Sequence, residues 1–458
     1  MLDVRTEKLQ SFILEKNKSA ILELIGEEHP ADIAEICSEL EPEEIHFILS
    51  ILPGDLNAEV FSYLDIDFQA ELASLFTREE LARLFSTLSP DDRATSFREM
   101  PEHIQEIILP ALAFAEREDI RKLSQYPENS AGSVMTSDYV ALSENITVEQ
   151  ALKTLRLEAP DKETIYYCYI TNQKRELTGF VSLKDIILAS PNQNIRDIMD
   201  DDVISVNITD DKEDVARKIQ KYDLLAIPVI NGGNTLVGII THDDAIDILT
   251  EEQTEDIEKI MAISGEHLAG GYLRTPAWYH FKKRVGWVVI LAIMGLLSGY
   301  IIHSFESALT GMIILAIYMP MMADTGGNTG SQSASMVIRA LALKEIRTGD
   351  FWRVISKEFF ISAMLAVILG LLAFMKVWLI TSNTEIPVGF SLPLVGFAIA
   401  GALALQVVSS TLIGALLPLI ASKFKLDPAV VASPALTTVV DITGLLIYFY
   451  IMKIAFGL

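Results

Sequence analysis

Cysteine is nearly absent: Cys37 and Cys168 are the only two in 458 residues. They lack metal-ligand spacing and both lie in the first half, which argues against a disulfide framework or a zinc site. Histidine is scarce, and no HExxH, GxSxG or P-loop pattern occurs, which argues against an enzyme built on such a centre. The segment Met1 to Lys18 mixes charges with short apolar runs and lacks the apolar core of a signal peptide, so the first half is expected to stay in the cytosol. Basic residues are few before Gly271, where 23 Lys+Arg face 54 Asp+Glu, a net of −31 against −26 for the whole chain. Phosphate contacts need Lys and Arg, so nucleic acid is not an expected partner, whereas cations suit such a surface. A plain solvated, self-repelling surface would need no ligand.

Apolar residues are abundant, at 50% of the chain, and they concentrate after Gly271, where 13 Lys+Arg and 8 Asp+Glu leave a net of +5. Two solvents are implied, water for the first half and a bilayer for the second. Five segments suit a span of about 20 residues. They are Val285 to Ile302, Ser307 to Ile338, Phe359 to Met375, Gly389 to Ser422 and Pro428 to Met452. Lys282 to Arg284, the basic run from Arg339 to Lys357, and Lys423 with Lys425 fall on one side of these spans. That bias puts the N-terminus in the cytosol and the C-terminus outside a cytoplasmic (inner) membrane.

The acidic half contains two kinds of repeat. Residues 1–127 read as short amphipathic helices, with apolar positions three and four apart in Ala31 to Leu40 and Glu43 to Leu52. Turn-plus-acid starts recur at Glu41-Pro42, Thr77-Arg78 and Ser89-Pro90, each placing an acid where the helix macrodipole favours it. An α-helical solenoid is expected here.

Residues 128–250 carry a duplication. Val134-Met135-Thr136 is echoed by Ile198-Met199-Asp200, strand Val140 to Leu142 by Val203 to Ser205, and helix Val148 to Leu157 by Val215 to Tyr222. Tyr167 to Ile170 matches Ala226 to Ile230, and Gly179-Phe180-Val181-Ser182-Leu183-Lys184-Asp185 matches Gly238 to Asp244. Each unit reads β-α-β-β-α and resembles a CBS domain, the pair forming an α/β tandem module. In Gly-x-x-Ser/Thr-x-x-Asp, the glycine ends a strand, the hydroxyl caps the next helix and the aspartate sits in its first turn. The resemblance implies an adenine nucleotide such as ATP held by Ser182 and Asp185 or by Thr241 and Asp244. The second repeat is the better candidate, because Ile227-Pro228 supplies an apolar slot. A plain helix cap with no ligand is the alternative. The acidic stretch Asp243 to Glu258 then leads toward the membrane as a connecting helix, placed at 251–275.

Polar groups inside apolar spans are costly and mark function. The run from Pro320 to Ser333 contains Asp324, Gly326, Gly327, Asn328, Thr329 and Gln332, and Pro320 with the glycines suggests a bent or broken helix beside a wet cavity. Gly326 and Gly330 also fit small-residue helix packing. The second place runs from Asp427-Pro428-Ala429 through Ser433 and Thr437 to Asp441 and Gly444. Along one helix Asp441 would lie ~20 Å from Asp427, deep in the bilayer.

These runs, PMMADTGGNTGSQSASMVIRALA, DPA and SPALTTVVDITGLLIY, resemble the MgtE magnesium channel family. So does the order of parts: helical domain, CBS pair, acidic connecting helix and a membrane domain at 276–458 made of five helices per subunit. The resemblance implies a homodimer in the lipid bilayer, with one pore on the twofold axis passing hydrated Mg²⁺. Asp441 is then the pore acid and Asp427 the mouth acid, while Asp324 ranks below them. Ser433 and Thr437 stand where the family pattern often has Asn and a small residue. The resemblance also implies closure by cytosolic Mg²⁺ at Glu59, Asp91, Asp244, Asp247, Glu252, Glu255 and Asp256. No catalysis is implied. An ion-coupled divalent-cation carrier or exporter using the same carboxylates is the competing expectation.

Overall fold

The computed structural model describes residues 2–263, 275–306, 309, 312, 314–381, 390–431 and 434–457; Ser433 lies outside them. The chain divides into two compact units, one running to Glu252 and the other beginning at Gln253 and including the membrane helices.

The first unit opens with ten described helices, from α1 (Leu2–Leu14) to α10 (Phe114–Leu123). The first two pack mainly on each other, and from the third onward each rests mainly on the helices two before and two after it. The sequence signals for their starts are realised. Thr77 and Glu80 form a reciprocal capping box on α7 (Arg78–Thr87), and Pro90 takes the first turn of α8 (Pro90–Glu99). Arg93 on α8 is buried, and its guanidinium donates to the carbonyls of Phe85 and Leu88, each at 2.6 Å. It thereby satisfies carbonyls at the end of α7 that no helical N–H reaches. Arg93→Met is expected to leave them unsatisfied at a cost of about 2–3 kcal/mol, read as a lower melting temperature of the purified protein.

Two three-stranded sheets follow, β1-β2-β3 and β4-β5-β6, each with one parallel and one antiparallel pair. The strands are β1 (Ala141–Ser143), β2 (Tyr167–Thr171), β3 (Leu177–Ser182), β4 (Val206–Asn207), β5 (Ala226–Ile230) and β6 (Leu236–Thr241). The duplication is reproduced in register: Tyr167 faces Ser182 as Ala226 faces Thr241, and each hairpin shifts register at the same place. β4 begins at Val206, just past the Val203 to Ser205 expected from sequence. The motif glycines also differ from expectation. Gly179 and Gly238 lie inside β3 and β6 rather than at their ends, and a Cβ on either would meet a backbone oxygen, that of Asp200 at 2.7 Å or of Thr136 at 2.8 Å. They let the segment leading into each repeat cross the other strand closely. Helices α11 (Val148–Glu158), α12 (Leu183–Leu188) and α13 (Lys212–Tyr222) cover the sheets, and α14 (His242–Ile260) leaves the second repeat. Ala94 and Leu123 pack into the core of that repeat, so the helical domain and the CBS-like pair share buried surface.

Among the described residues the second unit has four helices long and apolar enough to cross a membrane: α15 (Ala277–Ser304), α17 (Phe351–Thr381), α18 (Leu392–Lys423) and α20 (Pro434–Phe456). A fifth long helix, α16 (Ile314–Ala342), carries the polar run, and a single turn, α19 (Pro428–Val431), precedes α20. Of the bent or broken helix expected at the polar run, the break does not occur: α16 is continuous through Pro320. Proline there sits in the second turn, where it removes one hydrogen bond without ending the helix. The glycines act in packing instead. A Cβ at Gly414 of α18 would land on the carbonyl of Gly330, and one at Gly326 or Gly444 would strike the Gln406 amide. α16, α18 and α20 thus meet nearly backbone to backbone, with Thr329 and Ser410 hydroxyls 2.6 Å apart across the α16–α18 seam.

Candidate functional site

On α16 the polar residues separate by face. Gly326, Gly327, Thr329 and Gly330 are buried against α18 and α20, whereas Asp324, Asn328 and Gln332 are exposed at four-residue spacing. Four-residue spacing puts these three on one stripe of the helix. Such a stripe cannot face hydrocarbon cheaply. On α20, Asp441 and Thr437 are half-buried, and the Thr437 methyl lies at Gly327. Asp441 Oδ1 is buried with no hydrogen-bond partner among the described residues. The carbonyl of Val440, next to it, accepts from Gln406 Nε2 at 3.1 Å, which pins the turn carrying the carboxylate.

Gln406 was not singled out from sequence, although an amide inside an uncharged span is itself a signal. Glu358 was missed too. It is buried on α17 and accepts from the Ser333 hydroxyl of α16 at 2.8 Å.

A second cluster forms in the first unit. α5 (Gly54–Ser62) and α8 present acids to the start of α14. Asp91 is buried, its Oδ1 without a hydrogen-bond partner among the described residues. Burial, then the charge of Asp92, pushes its carboxyl up to about 6. Burial, then Asp91, pushes Asp244 up to about 7. Tyr63 is raised by burial and then by Asp243, Glu59, Asp247 and Asp92, which places Glu59 and Asp247 in the same field. The first repeat adds Glu163, pushed up to about 8 by burial and then by Asp91 and Asp244. Of the acids that the resemblance implied, Glu59, Asp91, Asp244 and Asp247 lie here; Asp92 and Asp243, beside two of them in the chain, and Glu163, from the first repeat, join them through the packing of the helical domain on the pair.

No three His, Cys, Asp or Glu side chains among the described residues converge closely enough to hold one metal ion. The donor set nevertheless fits a divalent cation: carboxylates that raise one another's values are held together in a half-buried place. The remaining expected acids lie further along α14. Glu252 pairs with Lys212 at 3.8 Å and Glu255 with Lys259 at 2.9 Å. Asp256 and Asp427 both line a cavity of about 250 Å³.

The two Ser/Thr-Asp motifs also diverge. Ser182 caps α12, accepting from the Asp185 amide at 3.1 Å while its hydroxyl donates to the Asp185 carboxylate, and Asp185 remains exposed. Thr241 is buried and its hydroxyl donates to Asp244, which is committed to the acidic cluster. Ile227 is wholly buried in the core of its repeat and Pro228 is buried beside it, so neither offers a slot.

Family comparisons cover the same parts in the same order. The MgtE intracellular N domain matches residues 28–129, CBS domains match 131–192 and 195–251, and the MgtE divalent cation transporter domain matches 319–451. The magnesium transporter MgtE of Thermus thermophilus is 39% identical over 339 residues, 74% of this chain and 72% of that protein. That of Bacillus subtilis is 38% identical over 345 residues, 74% of this chain and 73% of that protein. Among solved structures, the cytosolic domain of the Mg²⁺ channel MgtE in complex with ATP superposes with a TM-score of 0.51 at 36% identity, covering 53% of this chain and 99% of that one. The polar stripe, the intramembrane carboxylate, the acidic cluster and the CBS pair thus sit in one shared domain order, and the chain belongs to the MgtE family of magnesium transporters.

Proposed function

We propose that the protein is a Mg²⁺-selective channel for magnesium uptake, built as a homodimer with the pore on its twofold axis and closed by Mg²⁺ at the acidic cytosolic cluster. The exposed stripe Asp324–Asn328–Gln332 carries this reading. One subunit leaves it uncovered, and a second copy meeting it face to face would convert it into a wet lining. Asp441 would then be doubled. Mg²⁺ gives up its water reluctantly, so carboxylates acting through that water suit the ion better than a tight protein cage. In this reading all five long helices span the bilayer, with the N-terminus in the cytosol and the C-terminus outside.

Closure follows from the same electrostatics. Two carboxylates about 4 Å apart repel by roughly 4 kcal/mol at an effective dielectric of 20. Moving a population from 1:99 to 99:1 takes about 5.5 kcal/mol, which a few bridged pairs supply. The open motif at Ser182 and Asp185 is where an adenine nucleotide would bind.

Millimolar Mg²⁺ is therefore expected to protect the cytosolic half from protease. The pH dependence has a definite sign. Asp91, Asp244 and Glu163 have raised values, so the folded form binds more protons than the unfolded form. Without Mg²⁺, stability is then greatest at low pH and falls as pH rises from about 4 to about 8. Mg²⁺ protection should accordingly be larger at about pH 8 than at about pH 5. Equal cleavage with and without Mg²⁺ at both pH values would contradict the sensor.

A further inference from the structure

The last turns of α14 belong to the membrane unit, and they carry a lysine within an acidic run. Lys259 Nζ lies 2.9 Å from Glu255 Oε1 on its own helix and 3.0 Å from Asp427 Oδ2 at the head of α19. Asp427 is itself fixed, because its other oxygen accepts from the Ala429 amide at 2.8 Å and so caps the turn that leads into α20. A polar link thus runs from α14 through one ammonium to α19, the turn that precedes the Asp441 helix in the chain. A second tie, Lys283 of α15 to Glu258 at 3.8 Å, holds the same stretch of α14. Beside Asp427 is the cavity of about 250 Å³, lined also by Asp256, Arg347 and Ser422.

We propose that Lys259 is a positioning residue that supplies the cation at the mouth of the membrane unit from within the chain, latching α14 to Asp427 when no divalent ion is present. Burial opposes its charge, but the hydrogen bonds to Glu255 and Asp427 outweigh burial and hold the ammonium above the usual lysine range. A divalent ion entering the cavity must share or take Asp427 from Lys259. The latch therefore sets how much closure exists before Mg²⁺ binds, and this last step rests on the proposed closure by the cytosolic cluster, with α14 as the element that carries it to the mouth.

The test uses the full-length protein in lipid bilayers, with Lys259→Met, Lys259→Arg and Lys259→Met combined with Asp427→Asn. Spin labels at Met261→Cys and Lys423→Cys, in chains diluted with unlabelled copies, report the distance between α14 and the mouth without Mg²⁺. Wild type and Lys259→Arg should show a narrow, short component beside a broad one, and Lys259→Met should lose most of the narrow component. At the lowest cytosolic Mg²⁺, Lys259→Met should shift the closed-to-open ratio about fivefold toward open per subunit. The double variant should add little more, since both changes cut the same link. A narrow component as large in Lys259→Met as in wild type overturns the latch. A broadened distance with an unchanged closed-to-open ratio keeps the latch and overturns its tie to closure, leaving conduction itself untouched.

Discussion

Asp441→Asn is expected to reduce Mg²⁺ current by about a hundredfold or more while leaving the protein folded. A divalent ion about 5 Å from one carboxylate gains roughly 6 kcal/mol at an effective dielectric of 20, and a dimer presents two. Losing half of one such interaction already exceeds the ~2.7 kcal/mol that a hundredfold change requires. Stability should hold because asparagine keeps the shape and Asp441 Oδ1 makes no hydrogen bond among the described residues that the change could break. Asp324→Asn, on the exposed stripe of α16, should reduce current less, because that side chain is exposed rather than half-buried. Single-channel recording with matched melting curves separates lost conduction from lost fold. Unchanged current and selectivity in Asp441→Asn would remove it from the pore.

Gly414→Ala is expected to cost about 3 kcal/mol of stability and to prevent proper assembly of the membrane unit. The added methyl would meet the Gly330 carbonyl, which is backbone and cannot rotate away. α16 and α18 would have to separate, breaking the Thr329–Ser410 contact and shifting the polar stripe. Gly401→Ala on the same helix is the control, since nothing lies within 4 Å of a Cβ there. Its effect should stay within about 1 kcal/mol. Thermal unfolding in detergent, followed by size-exclusion chromatography, reads both variants, and equal behaviour would contradict the close approach.

The sequence made some of these features legible and hid others for physical reasons. The CBS duplication was visible because strand alternation, a capping hydroxyl and an acid in the first helical turn are local rules, and they recur at matching positions. The motif glycines were misread because their partners, Asp200 and Thr136, are brought near only by the crossing of the two repeats. The polar run of α16 was visible as composition, but composition does not say which residues pack. Gly326 and Thr329 are buried whereas Asp324, Asn328 and Gln332 face outward. Glu163 could not be found as a partner of Asp91, because no periodicity links a loop of the first repeat to a helix of the preceding domain. Lys259 carries no signal in the sequence, where a single lysine in so acidic a helix has no marked partner, and only its distance to Asp427 gives it a role. The Ile227-Pro228 slot failed for the opposite reason, since an apolar pair in a central strand is more readily core than surface.

Single-channel recording of the purified protein, with Mg²⁺ titrated on the cytosolic face, tests the central claim most directly. The account predicts discrete Mg²⁺ current steps whose open probability falls as cytosolic Mg²⁺ rises, with Asp441→Asn silent. Flux without current steps that saturates and follows a second ion's gradient, or current indifferent to cytosolic Mg²⁺, would contradict it.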